Sequence, residues 1–157
     1  MNPVIRPARE ADVPDMSRVL IASITELCAA DHENRPERLA SWTANKTPDG
    51  VKAMFAQPGL SLLVGELDGQ VVAVGATIPA KGEIALNYVD PAARFRGVSK
   101  ALLSAMEYGL LRQSVAEARL TSTITARAFY HAAGWIDDDA RVACQGGEGY
   151  RMRKRLA

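Results

Sequence analysis

Three strand-like segments follow one another between residues 60 and 89, with no helix among them. Residues 60–67 and 70–78 flank Asp68-Gly69, a dipeptide that readily takes the left-handed backbone of a two-residue hairpin. The third segment, Glu83-Ile84-Ala85-Leu86-Asn87-Tyr88-Val89, follows Lys81-Gly82. Connections this short predict an antiparallel meander, because neighbouring parallel strands need a crossover of about a dozen residues or more. A row of βαβ units is excluded for this stretch.

The third segment runs into Arg94-Phe95-Arg96-Gly97-Val98-Ser99-Lys100 and then a helix from about Val98. Val98, Leu102, Ala105, Met106 and Gly109 share one face of that helix, and Ala101, Leu103 and Leu110 widen it. An anion at the junction meets unpaired backbone N–H groups and the positive helix end, while Gly97 removes a side chain that would block close approach. The junction therefore reads as a diphosphate seat made by the amides of Arg96, Gly97, Val98, Ser99 and Lys100, with Lys100 adding a point charge. Taken alone, the same seven residues also suit a solvated turn with two surface arginines.

Upstream, residues 4–6 form a short strand, and Asp12 caps a helix through Met16, Val19, Leu20, Ile24 and Leu27. A polar interval, Asp31-His32-Glu33-Asn34-Arg35, breaks the pattern before a helix over 36–44. Thr47-Pro48-Asp49-Gly50 precedes a short helical piece ending at Phe55. Downstream, residues 120–122 predict a strand and 125–133 a helix. Residues 141–145 and 150–156 predict two strands paired across Gly146-Gly147-Glu148-Gly149. The expected fold class is α/β (α+β): a single domain over 1–157 with a mixed, mostly antiparallel central sheet flanked by helices.

The chain's 157 residues fit one domain, and 19 Lys and Arg against 18 Asp and Glu give nothing that recruits nucleic acid or an anionic membrane. Arg151, Arg153, Lys154 and Arg155 alternate partly with Met152 and Leu156, which suits the wet side of a terminal strand. Cys28 and Cys144 signal neither a disulfide framework nor a metal site, and no metal is expected. No run approaches a membrane span or a signal peptide, so the expected location is cytoplasmic. The exposed face of the last strands offers a route to a homodimer.

Two blocks resemble the GCN5-related N-acetyltransferase (GNAT) family. Arg94-x-x-Gly97-x-Ser99 is similar to its Arg/Gln-x-x-Gly-x-Gly/Ala loop, with Ser99 departing from the third fixed position. Residues 120–135 resemble its strand, helix and turn ending in Phe/Leu-Tyr-x-x-x-Gly-Phe/Trp, supplied by Phe129, Tyr130, Gly134 and Trp135. Residues 5–12 resemble its opening strand and first helix.

The resemblance implies an acetyl-CoA-dependent N-acetyltransferase acting on a small or accessible primary amine. It places the pyrophosphate on the loop amides from Arg94 onward and the pantetheine arm on Tyr88 and Val89, with the Val89 N–H facing the thioester oxygen. Thr123 stands where the family often has Asn, also toward the cofactor. Tyr130 becomes the group beside the departing sulfur, and its ordinary pKa near ~10 suits an acid better than a base. Glu83, eleven residues before Arg94, matches the glutamate that activates the amine in the histone-acetylating branch. Asp31 and His32 are alternative proton carriers, whereas His131 faces elsewhere. Asp31, Glu33, Glu37 and Trp42 are candidates for the acceptor site. Direct transfer without an acetyl-cysteine intermediate is the expected route. A catalytically silent acyl-CoA-binding or sensory module is the alternative reading.

Overall fold

The computed structural model describes residues 2–144 and 147–157, and side chains outside 139–148. Strand β1 (Val4–Pro7) leads through a 3₁₀ turn into α1 (Val13–Leu27), followed by α2 (Ala29–His32), α3 (Pro36–Thr43) and α4 (Pro48–Phe55). The meander is β2 (Ser61–Leu67), β3 (Gln70–Ile78) and β4 (Glu83–Val89). Helix α5 (Val98–Arg112), β5 (Glu117–Ser122), α6 (Arg127–Ala132), β6 (Ile136–Cys144) and β7 (Gly147–Arg155) complete the chain.

The strands form one sheet in the order β1-β2-β3-β4-β5-β7-β6, antiparallel except for β4 beside β5. Asp68 and Gly69 both take positive φ, +52° and +78°, the handedness that matches the twist of the strands they join. The mixed, helix-flanked sheet expected from the sequence is the one observed.

Two apolar layers sandwich the sheet. Val13, Met16, Val19 and Leu20 of α1, with Val51 of α4, pack on Leu62, Val64, Val74 and Ala76. Val98, Leu102, Leu103, Met106 and Leu110 of α5 pack with Ala73, Ile84, Ala118 and Leu120. Burying those five α5 side chains contributes roughly 10 kcal/mol gross. A helix of this length is marginal alone in water, so packing rather than propensity fixes where it begins. Close approach also needs Gly75 of β3, where an added Cβ would stand 2.9 Å from the Met106 sulfur and 3.0 Å from a Leu102 methyl.

Some boundaries differ from the sequence expectation. Asp12 precedes α1 but does not cap it: its carboxylate takes two hydrogen bonds from the Arg6 guanidinium, 2.8 and 2.9 Å, and one from the Arg9 N–H, 2.8 Å. Arg6 also pairs with Glu66, tying β1 to β2. The polar interval is not a solvated loop, because Asp31 and His32 end α2 as buried residues and the reversal falls on Glu33 and Asn34, both at φ +56°. The four-residue turn expected over 146–149 is too long. Cys144 pairs with Gly147, so Gly147 to Gly149 already belong to β7, where pairing with β6 overrides the glycines' preference for turns. Residues 145 and 146 lie outside the described residues.

Gly75→Val should destabilise the protein by about 2 kcal/mol, because branched carbons would drive α5 off the sheet. Urea denaturation followed by circular dichroism measures it.

Candidate active site

The parallel strands share one registered pair, Glu83 with Arg119, closed by the Arg119 N–H on the Gly82 carbonyl at 2.8 Å. Beyond it β4 and β5 separate. The cause is visible in β4: Ala76 pairs with Leu86 and Thr77 with Ile84, which leaves Ala85 as a bulge that bends the strand. A cleft of about 410 Å³ opens there, walled by β4, the end of β5, the end of α1, the start of α5 and α6.

The direction of the β4 amides follows from one bond. The Asp90 N–H donates to the Val72 carbonyl at 2.7 Å, so the neighbouring Ala73–Val89 pair is of the non-hydrogen-bonded kind. By alternation Tyr88 faces β3, while the N–H groups of Asn87 and Val89 face away from it, into the gap. Backbone donors are thus presented to the cleft instead of to another strand.

At the cleft's mouth, Gly97 holds φ +79° as the residue capping α5, and nothing lies within 4 Å of where its Cβ would stand. The amides of Val98, Ser99 and Lys100 have no carbonyl in a preceding turn, and no acidic side chain occupies the first turn. That end of the helix dipole is uncompensated and suits an anion. A strut fixes the approach: Arg18 of α1 donates to Asp90 at 2.6 Å and to the Val71 carbonyl at 3.0 Å, and the other Asp90 oxygen accepts the Ala92 N–H at 2.9 Å. Burial alone would raise the Asp90 carboxyl, yet these donors hold it below the usual carboxylate range.

Tyr130 forms the deep wall. Its ring meets Phe129 and Trp135 edge to face at 5.4 and 5.9 Å. Gly134, at φ +91°, turns the chain so that the buried Trp135 lies against it. The Trp135 N–H donates to Glu107 of α5 at 3.0 Å, and Lys154 donates to the same carboxylate at 2.7 Å. The amide of Asn87 donates to the Tyr130 hydroxyl oxygen at 3.0 Å. Burial pushes the Tyr130 hydroxyl up to about 12, against the smaller opposing effect of Asn87. It is a protonated donor at any ordinary pH. With Asn87 occupying a lone pair, its own hydrogen is available to a second group.

The end of α1 and the following turn bind the opposite wall. Buried Asp31 accepts the Ile124 N–H at 2.6 Å, the Thr125 N–H at 3.3 Å and the Thr125 hydroxyl. His32 donates from Nε2 to the Ile24 carbonyl at 3.0 Å, and its Nδ1 accepts the Asn34 N–H at 2.9 Å. Both ring nitrogens are engaged, so His32 caps α1 and leaves none to relay a proton. Trp42 is buried against Ile24, Cys28 and Leu39 and donates to the Tyr88 hydroxyl at 3.3 Å. Glu33 pairs with Arg38 at 2.7 Å. The acceptor residues suggested by the polar interval are therefore largely occupied in holding the fold. Cys28 lines the cleft, but its thiol is pushed up to about 12, first by burial and then by Asp31, which makes it a poor nucleophile.

Of the residues singled out in the sequence, Tyr88, Val89, Arg94, Gly97, Val98, Ser99, Lys100, Thr123 and Tyr130 line one cleft. Arg96 does not. Glu83 also lies outside, because it sits where β4 and β5 are still paired; it lines a separate polar pocket with Lys81, Arg119, Asp138 and Arg151. The Thr123 hydroxyl accepts the Ala126 N–H at 3.1 Å and so braces the turn that leads into α6, while Thr123 lines the cleft. His131 pairs with Asp137 at 3.1 Å, away from the cleft as expected. Sequence reasoning missed Asn87 as a partner of Tyr130. Its only signal was one amide side chain inside an apolar strand.

The acetyltransferase (GNAT) domain family matches residues 20–156. Comparison with curated protein sequences finds no match. Among solved structures, a GCN5-related N-acetyltransferase from Rhodopseudomonas palustris gives a TM-score of 0.86 at 22% identity, covering 99% of this chain and 96% of that one. The PaiA N-acetyltransferase of Thermoplasma acidophilum, solved in complex with coenzyme A, gives 0.82 at 18% identity with 99% of each chain covered. YncA of Salmonella typhimurium, solved with its cofactor acetyl-CoA, gives 0.65 at 19% identity, covering 100% of this chain and 95% of that one. At such identities the likeness is one of fold.

Asp31→Ala strands the Ile124 and Thr125 amides and should cost about 2 kcal/mol in denaturant midpoint analysis. Asp31→Asn, which keeps one acceptor oxygen, should cost less.

Proposed function

The chain belongs to the acetyltransferase (GNAT) family, and from that premise we propose that it moves an acetyl group from acetyl-CoA to a small or accessible primary amine by direct attack. The observation that carries this reading is the convergence on one cleft of the free first-turn amides of α5, the outward N–H groups of β4 and the Tyr130 hydroxyl. The residues present fit the carrier: open space before Gly97 for a diphosphate, and an unpaired strand edge for an extended amide-bearing arm.

Acetyl-CoA supplies the acetyl group as a thioester. Attack forms the C–N bond and breaks C–S, with negative charge passing through oxygen to sulfur. The Asn87 and Val89 N–H groups suit the developing oxyanion because they are already oriented and need no rearrangement. The Tyr130 O–H suits the departing sulfur. In water an ordinary thiolate, near ~8.5, would not take a proton from a phenol at about 12. Burial in the same cleft, with Asp31 adding to it, raises the Cys28 thiol, and desolvation acts in the same direction on any sulfur held there, so a departing thiolate takes a proton more readily than it would in water.

No carboxylate or imidazole is among the described residues lining the cleft. The amine in this reading therefore arrives neutral and gives its surplus proton to water, which restores the proton that the Tyr130 oxygen passed to the sulfur. The same absence favours a second reading, a module that binds acyl-CoA without turnover.

Calorimetry with acetyl-CoA, alongside mass spectrometry of products from an amine panel, separates the two readings. Binding with acetylated product supports the transferase; binding with no product across the panel supports the module. Tyr130→Phe should lower kcat by about 100-fold while leaving acetyl-CoA affinity nearly unchanged. Unchanged turnover, with chemistry rate-limiting, would remove Tyr130 as the sulfur's donor.

The pH profile of kcat/KM should climb with rising pH as the ammonium form of the amine loses its proton, and level off above the amine's own pKa. Glu83→Gln should leave that profile in place, and a tenfold or greater loss would restore Glu83 as the base.

A further inference from the structure

Phe95 is 92% exposed at the rim of the cleft and holds a left-handed backbone, φ +63°, that a bulky L-residue rarely adopts. Neither property serves the core, and Phe95 belongs to none of the apolar clusters. A lone exposed phenylalanine needs no explanation. This one has two further properties: the strained backbone turns it outward, and the Arg94 guanidinium lies 4.6 Å from its ring centroid. That cation restrains the ring on one side, and the exposure leaves an aromatic face open to solvent.

What such a face takes is set by its neighbour. Phe95 stands two residues before Gly97, at most ~7 Å along the chain from the diphosphate seat. In a nucleotide carrier, a planar base lies one sugar away from its diphosphate. Every base presents a π face, and stacking on an aromatic side chain strengthens binding about tenfold or more. A ring held in one rotamer loses little freedom when the base arrives. Arg94, Arg96 and Lys100 form no ion pair among the described residues, so the surroundings are electropositive and suit an anionic nucleotide.

We propose that Phe95, restrained by Arg94, is a stacking plate for the adenine ring of the acyl carrier, so that this protein reads the nucleotide end of acetyl-CoA as well as its diphosphate and arm. The inference rests on the acetyl-CoA reading given above.

The test is calorimetry at fixed salt with two probes, acetyl-CoA and S-acetyl-phosphopantetheine, which keeps the arm and a phosphate but lacks the nucleoside. Phe95→Leu should weaken acetyl-CoA binding about tenfold and leave the truncated probe unaffected, while Phe95→Trp should bind acetyl-CoA at least as well as the parent. Phe95→Gly, which relaxes the backbone, should lose the same affinity without lowering Tm, separating a ligand role from a folding role. Fluorescence of 1,N6-etheno-CoA should be quenched on binding to the parent and less so with Phe95→Leu. Equal losses for both probes, or no loss of acetyl-CoA affinity in Phe95→Leu, would overturn the plate while leaving the acetyl-CoA reading intact. A parent protein that binds no acetyl-CoA would overturn both.

Discussion

A single backbone pair holds β4 to β5, and the site exists because the ladder stops there. Parallel neighbours normally continue bonding along their length, since buried amides without partners are costly. Here the Ala85 bulge bends β4 away, and Tyr130 reaches in from α6 to accept a hydrogen bond from the Asn87 side chain. An aromatic side chain thus occupies ground where a strand would otherwise lie. The main-chain donors of Asn87 and Val89 remain available to an extended ligand that completes the ladder.

The rest of the fold keeps that opening in place. Leu102 and Met106 seat α5 against Gly75, so the helix begins at a fixed point beside the cleft and its first amides need no ordering by a ligand. The Arg18–Asp90 strut reaches the same loop from the opposite layer. Glu107 joins α5 to Trp135, and Trp135 supports the Tyr130 ring. The open first turn of α5 and the Tyr130 hydroxyl are therefore parts of one packed body.

What the sequence made legible was local. The short connections of the meander, the Asp68-Gly69 turn, the apolar stripe from Val98 and the open approach at Gly97 each act within a few residues, and each appears as expected. The polar interval was misleading for the opposite reason. Asp31 reads as a free proton carrier because its partners, Ile124 and Thr125, lie 93 and 94 residues away. His32 looks free until α1 supplies carbonyls for it to cap. Glu83 shows the limit of spacing: eleven residues before Arg94 fixes a place along the strand, yet only the start of the β4–β5 pairing determines that the carboxylate falls outside the cleft. Thr123 kept its place on the wall, but its hydroxyl also serves α6.

Those long-range bonds bear on the chemistry. Through Asp31, the turn after α1 grips the loop that begins α6, the helix carrying Tyr130, while Ser23, Leu27 and Cys28 at the end of α1 face the same cleft. A shift of α1 would therefore be felt at Tyr130 as well as at the facing wall of the cleft. The polar groups nearest the cleft are largely engaged with one another, and no carboxylate or imidazole is among the described residues lining it. A wall of this kind has few ways to change the protonation of an incoming amine. In the proposed transfer, control would therefore lie in shape, in desolvation and in donors fixed before the amine arrives, and selection would fall on amines that reach the carbonyl already neutral.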